Sequence, residues 1–354
     1  MDTKTLCDGI LDGQRRALSK AITLVESARA DHRVQAAALL EALKAAQASP
    51  REALRIGLSG TPGVGKSTFI ESFGMALVRE GLKVAVLAVD PSSARSGGSI
   101  LGDKTRMELL SREAGAFIRP SPSQTELGGV ARRTREAVAL CEAAGFDVVL
   151  IETVGVGQSE TVVSEMSDLF VLLLAPAGGD ELQGVKRGIM EMADLILVNK
   201  ADGDLKAAAN RTRADYAAAL RLLRKRPQDP DGFPKALAIS ALQEDGLAQA
   251  WAEMGTLADW RRAQGHWART RANQNRHWFM EELRLALLAQ LTQAGPVRDA
   301  VARLGDSVAS GTTTPALAVQ SALALLHPAV HRAQDGPTPQ HDGPKNDDFT
   351  TGIG

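Results

Sequence analysis

The chain has 354 residues, 44% hydrophobic and 23% charged, with a net charge of −1. That length allows one large domain with appended helices, and the near-neutral charge gives no global pull toward nucleic acid or an anionic membrane. Aromatics make up 4%, so base-stacking platforms are not expected, and Cys7 and Cys141 stand far apart without a C-x-x-C pairing, which argues against a disulfide framework or thiolate metal site.

The first residues carry Asp2 and Asp8 and no apolar h-region, so a secretory signal is not expected. Residues 10–48 place Leu18, Ile22, Leu24, Val25, Val34, Ala38, Leu40 and Leu43 at helical spacing before Ser49 and Pro50 end the run. The reading is an N-terminal helical arm over residues 1–50. Between residues 54 and 240, the apolar runs LRIGLS, KVAVLAVD, GAFIRP, DVVLIE, DLFVLLLA, ADLILVN and PKALAIS alternate with amphipathic stretches. Continuous apolar strands separated by helices predict an α/β domain over residues 51–256 with a mostly parallel sheet covered on both faces, and the sequence GTPGVGKS at residues 60–67, after the first of these strands, makes it a P-loop NTPase domain. Functional loops then belong at the carboxyl ends of the strands. The longest apolar run, residues 169–177, is about half of the ~20 residues that span a bilayer. With reduced cysteines and no span, the expected place is the cytoplasm, with neither membrane nor nucleic acid as partner. From residue 243 the strand signal disappears and helices return, notably over 278–291, giving a helical extension over 257–330. The Gly, Pro and Asp content after His331 predicts a disordered tail over 331–354.

Residues 60–67, GTPGVGKS, fit G-x-x-x-x-G-K-S/T after a strand and before the helix-like STFIESFGMALVRE. Gly60, Gly63 and Gly65 let successive N–H groups turn toward an anion at a helix N-terminus, with Thr61, Pro62, Val64 and Thr68 completing the cradle. Lys66 is placed to reach the β- and γ-phosphates, and Ser67 to offer its hydroxyl to Mg2+. Asn199 to Asp202, NKAD, follows the strand ADLILV. Asp202 is the candidate to accept from guanine N1–H and the exocyclic amine, a pair adenine does not supply, with Lys200 along the base and Asn199 bracing the loops. Ser240, Ala241 and Leu242 follow the next strand, where a backbone contact to guanine is expected.

Two further strands end in acidic residues, Asp90 and Glu152, and Asp103 follows Asp90 in PSSARSGGSILGDK. Mg2+ prefers hard oxygen ligands, so Ser67, Asp90, Asp103 and Glu152 are the candidate metal set. The sequence ETVG stands where D-x-x-G is usual, with Gly155 available to the γ-phosphate. Lys66, Asp103, Glu152 and Gly155 are therefore the candidate catalytic residues. Val156 follows Gly155, so no glutamine stands there to orient water, and a slow intrinsic rate follows as an expectation. In AGGDELQGVKRGI, Gly178 and Gly179 offer a hinge, and Asp180, Gln183 and Lys186 fall roughly on one helical face. That face either senses the nucleotide or a partner, or is a solvated helix start capped by Asp180.

The order SGTPGVGKSTF, VDPSS, GDKTRM, ETVGVGQSE, AGGDELQGVKRGI and NKAD resembles the MeaB/ArgK group of methylmalonyl-CoA mutase-associated GTPases, relatives of the signal-recognition-particle and nickel-insertion GTPases. The resemblance covers about residues 9–291. It implies a homodimeric GTPase, binding GTP, GDP and Mg2+, that gates cofactor delivery to an adenosylcobalamin-dependent acyl-CoA mutase and protects the loaded enzyme, with the cobalamin adenosyltransferase an indirect partner. By the same resemblance, Asp180, Gln183 and Lys186 form an extra switch, Asp90, Asp103 and Glu152 surround the magnesium, and residues 257–291 contribute to the dimer contact. Core packing within one chain is the alternative for that last stretch. Cobalamin is expected on the mutase rather than on this chain, since the six histidines never stand in a D-x-H-x-x-G setting. Their scatter also weighs against a nickel-insertion GTPase, and NKAD against a kinase, the two alternative functions.

Overall fold

Each of the seven apolar runs forms a strand in the computed structural model, which describes residues 2–47, 51–89, 107–120, 127–153, 159–176, 187–223, 225–292 and 295–325. The strands are β1 (Leu54–Ser59), β2 (Val84–Val89), β3 (Ala116–Arg119), β4 (Val148–Thr153), β5 (Leu169–Leu174), β6 (Leu195–Val198) and β7 (Lys235–Ala238). They lie in the order β3-β2-β4-β1-β5-β6-β7, and every pairing is parallel. The sheet is buried on both faces, which is why its strands are apolar throughout rather than alternating. Successive residues nevertheless divide between two cores: Val148 and Leu150 of β4 join one, Val149 and Ile151 the other.

The first of these cores contains α4 (Lys66–Arg79), α5 (Glu108–Arg112), α10 (Leu247–Ala263) and the start of α11 (His266–Thr292), through Phe69, Phe73, Leu110, Met254 and Trp267. The second contains α1 (Thr3–Leu11), α2 (Arg15–Glu26), α3 (Ala30–Ala46), α6 (Leu127–Ala143), α7 (Ser159–Met166) and α9 (Lys206–Arg221); α8 (Arg187–Met192) lies beside it through Ile189 and Met190. The N-terminal helices are thus part of the sheet's own core: Leu18, Ile22 and Val25 are buried in the same cluster as Val149 and Ile151.

Buried ion pairs fix α10 and the first half of α11 to the amino ends of the strands. Arg261 bonds Asp194 and Asp229, both at 2.6 Å. Arg271 clasps Asp168 at 2.8 and 2.7 Å and donates to the Ala53 carbonyl at 2.6 Å. Asp168 and Asp194 also accept the backbone N–H groups of Arg55 and Phe170 that begin β1 and β5. The chain divides into two units, Met1–Phe279 and Met280–Gly354. In the second, α12 (Pro296–Ala309) packs on α13 (Pro315–Ala324), whose first turn is capped by Thr314. Ala318 is the one buried side chain among its described residues. No described helix is long and apolar enough to cross a membrane.

Candidate functional site: a phosphate loop joined to a base-reading loop

At the carboxyl edge of the sheet, β1 ends at Ser59 beside β4 and β5 and passes into residues 60–65, after which α4 begins. Two glycines there are required by their surroundings. A Cβ at Gly60 would lie 2.4 Å from the Leu173 carbonyl oxygen. Gly65, at φ 90° immediately before α4, would place a Cβ 2.7 Å from Asn199 Nδ2. Lys66 Nζ donates to the Gly60 carbonyl at 2.5 Å, closing the loop on itself. Burial lowers the pKa of Lys66, and the nearby carboxylates of Glu152 and Glu160 act in the opposite direction. Glu152 and Glu160 are both buried, and Thr153 Oγ1 donates to Ser59 Oγ at 3.2 Å, tying the tips of β4 and β1.

Asn199, one residue past β6, joins this loop to the next. Its Nδ2 donates to the Val64 carbonyl at 2.9 Å and its Oδ1 accepts from Ala241 N at 2.9 Å, with Asn199 only 2% exposed. Lys200 adopts the left-handed region at φ 60° and donates from Nζ to the Gly63 carbonyl at 2.7 Å. Ser240, buried past the end of β7, donates from its hydroxyl to Asp202 Oδ2 and accepts from Gln243 N at 3.1 Å. The Asp202 carboxylate is therefore held by a partner 38 residues further along the chain, while Leu242, two residues after that partner, is exposed.

The structure thus brings together residues 60–66 with Asn199, Lys200, Asp202, Ser240 and Ala241. Thr61, Pro62, Ser67 and Thr68 lie in the loop and the first turn of α4. Asp90, Asp103, Gly155, Asp180, Gln183 and Lys186 lie outside the described residues, as does the stretch 331–354. Of the magnesium candidates, Ser67 and Glu152 are described: Glu152 pairs with Leu58 across β1 and β4, one residue from the strand end that feeds the loop. A hydroxyl and a carboxylate at a phosphate cradle are hard oxygen donors and fit Mg2+, which takes its remaining ligands from phosphate and water. Among the described residues, no cluster of three or more His, Cys, Asp or Glu side chains forms a self-sufficient metal cage.

Two contacts at this site had no sequence signal. Arg79, ending α4, makes a two-pronged pair with Glu244 at 2.8 and 2.7 Å, and Glu244 sits at φ 57°. Trp251 Nε1 donates to Glu80 at 3.1 Å. Both link the far end of the P-loop helix to the segment after β7, over separations that no local pattern encodes.

A parallel sheet carrying G-x-x-x-x-G-K-S at one strand end and N-K-x-D at another, joined through the asparagine, defines a P-loop GTPase, a GTP hydrolase. Residues 18–295 match the family model described as methylmalonyl Co-A mutase-associated GTPase MeaB, and the chain belongs to that family. It is 52% identical over 326 residues to a putative GTPase of Caulobacter vibrioides, covering 92% of this chain and 98% of that one. It is 47% identical to the mouse mitochondrial methylmalonic aciduria type A homolog (88% and 76% covered) and 48% identical to the GTPase ArgK of Escherichia coli (79% and 83%). A crystal structure described as a LAO/AO transport system kinase superposes with a TM-score of 0.70 at 37% identity, covering 92% of this chain and 97% of the other.

Proposed function

We propose that this GTPase is the gatekeeper of an adenosylcobalamin-dependent acyl-CoA mutase, methylmalonyl-CoA mutase being the first candidate, and couples GTP binding and hydrolysis to cofactor loading and protection. The observation that carries the reading is the family match over residues 18–295, supported by the relative named for methylmalonic aciduria.

In this reading, Lys66 exchanges its bond to the Gly60 carbonyl for the β- and γ-phosphate oxygens when nucleotide enters. The N–H groups of residues 63–68 hold the phosphates. Asp202, oriented by Ser240, accepts the two guanine donors; Lys200 lies along the base; Asn199 keeps the phosphate loop and residues 240–242 in register. Ser67, with Asp90, Asp103 and Glu152, holds Mg2+, which neutralises charge on the leaving phosphate when bound. Asp103, Glu152 and Gly155 serve the γ-phosphate side, and with Val156 following Gly155 the protein alone turns over slowly. Asp180, Gln183 and Lys186 carry the nucleotide state to the client. The chain acts as a homodimer in the cytoplasm, and cobalamin stays on the client and the adenosyltransferase. Exposed Met280, Leu283, Leu287 and Leu288 in the second half of α11 support a contact with a second copy.

GTP hydrolysis measured for the protein alone and with each candidate mutase tests this. Acceleration by one mutase, lost in Lys186→Ala, is the expected result. No acceleration and no complex with any mutase would leave a GTPase with a different client.

A further inference from the structure

Beside the carboxyl ends of β2 and β3, facing α2 and α6, lies a cleft whose walls include Leu87, Pro120, Val130, Arg119, Arg133 and the carboxylate of Glu26. Its space open to water centres is about 20 Å3, on the order of one small group, since one water takes ~10–15 Å3 by the same measure.

Arg133 is 9% exposed, and its Nε has no hydrogen-bond partner among the described residues. The nearby acids are committed elsewhere. Glu26 receives both Nε and a terminal nitrogen of Arg119. Glu136 receives two nitrogens of Arg33, at 2.9 and 2.8 Å. Two carboxylates, Glu26 and Glu136, therefore stand among four guanidinium groups, those of Arg33, Arg119, Arg132 and Arg133. Burial lowers the pKa of Arg133, Arg132 and Arg33 add to that effect, and Glu26 and Glu136 oppose it without reversing it. An arginine keeps its proton in proteins, so the group remains a buried cation with no dedicated counter-charge among the described residues.

We infer that the cleft is a carboxylate-binding site in which one carboxylate seats on the Arg133 guanidinium with its apolar stem against Leu87, Val130 and Pro120. The donor count selects the class. Thr134, also lining the cleft, spends its hydroxyl on the Val130 carbonyl at 2.9 Å, and Arg119 is engaged by Glu26. One guanidinium fork remains, which matches the two coplanar oxygens and single charge of a carboxylate. A phosphate would bring a third oxygen and a second charge with no further uncommitted donor among the lining residues to receive them. The carboxylate comes either from a small acid in solution or from an Asp or Glu side chain of a bound protein.

The test uses the full chain loaded with GDP, and Arg133→Met, which keeps the length and removes the charge. Without added acid, the variant melts at the same temperature as the parent or higher, because no described residue supplies Arg133 with a dedicated counter-charge. Propionate, exchanged for chloride at constant ionic strength, raises the parent's Tm saturably and leaves the variant unmoved, while phosphate shifts both alike. If propionate moves neither but the variant binds the mutase at least tenfold more weakly, with GTP hydrolysis by the protein alone unchanged, the carboxylate is the partner's. A variant that melts lower than the parent without acid, or no difference between the two proteins in either arm, overturns the inference. Parent-specific stabilisation by phosphate equal to that by propionate overturns the assignment to carboxylates.

Discussion

Replacing Asn199 by alanine removes a side chain that bonds the phosphate loop and the loop after β7 at once. Each of its two hydrogen bonds is worth a net ~0.5–1.5 kcal/mol, and each buried backbone group left without a partner costs ~1–3 kcal/mol when water does not replace it. Val64 and Ala241 are 2% and 1% exposed, so replacement by water is limited, and the expected loss of stability is about 2–4 kcal/mol. Asn199→Asp sharpens the test. Its Oδ1 still accepts from Ala241 N, but the other oxygen faces the Val64 carbonyl at a spacing that was 2.9 Å for a donor. Two acceptors in that position repel, so the near-isosteric variant loses at least as much as alanine. Urea unfolding of the nucleotide-free proteins, followed by tryptophan fluorescence and circular dichroism, reads the loss, and a fluorescent GDP analogue reads the accompanying drop in affinity. A loss below ~0.5 kcal/mol for alanine, the size of an ordinary surface change, or a milder effect for Asp than for Ala, would refute the reasoning.

Asp202→Asn leaves the guanine N1–H and exocyclic amine facing an amide that accepts only once, so GDP affinity falls on the order of 10- to 100-fold while xanthosine diphosphate, which offers a carbonyl in place of the amine, gains; competition binding reads the reversal. Arg271→Ala strands the Asp168 carboxylate, whose side chain is 2% exposed, and lowers stability by about 3–5 kcal/mol. Because that pair lies at the amino ends of the strands, GDP affinity of the folded variant stays unchanged in the same binding assay. Burial pushes the Cys141 thiol far up, and burial followed by Asp8 raises Cys7. A raised pKa means less thiolate at a given pH, so at pH 8 a disulfide reagent titrates neither thiol in the native protein and both of the two cysteines after denaturation.

The strands were legible because a parallel sheet covered on both faces needs nothing but apolar residues, and runs such as VVLIE and LFVLLL say so without reference to the rest of the chain. The loops between residues 60 and 67 and at 199–202 were legible for a different reason: their chemistry is set by backbone angles and donors within a few residues. Helical periodicity in the N-terminal segment identified which face of α2 is apolar but not what covers it, and Leu18 and Ile22 turn out to share a core with β4. Arg261 and Arg271 carry no local sequence signal of burial. Both are 8% exposed because Asp194, Asp229 and Asp168, between 32 and 103 residues away, meet them in the interior. The Arg133 cleft was hidden for the same reason, since its acids and its apolar walls come from α2, β2, β3 and α6 at once.

The affinity of the protein for methylmalonyl-CoA mutase, measured by calorimetry with GDP and again with a non-hydrolysable GTP analogue, tests the coupling between nucleotide and client most directly. A gatekeeper binds the mutase in both states with affinities that differ at least about fivefold, the lower end of ordinary coupling energies, and Lys186→Ala narrows that difference. Equal affinities in the two nucleotide states, or no complex in either, would contradict the account.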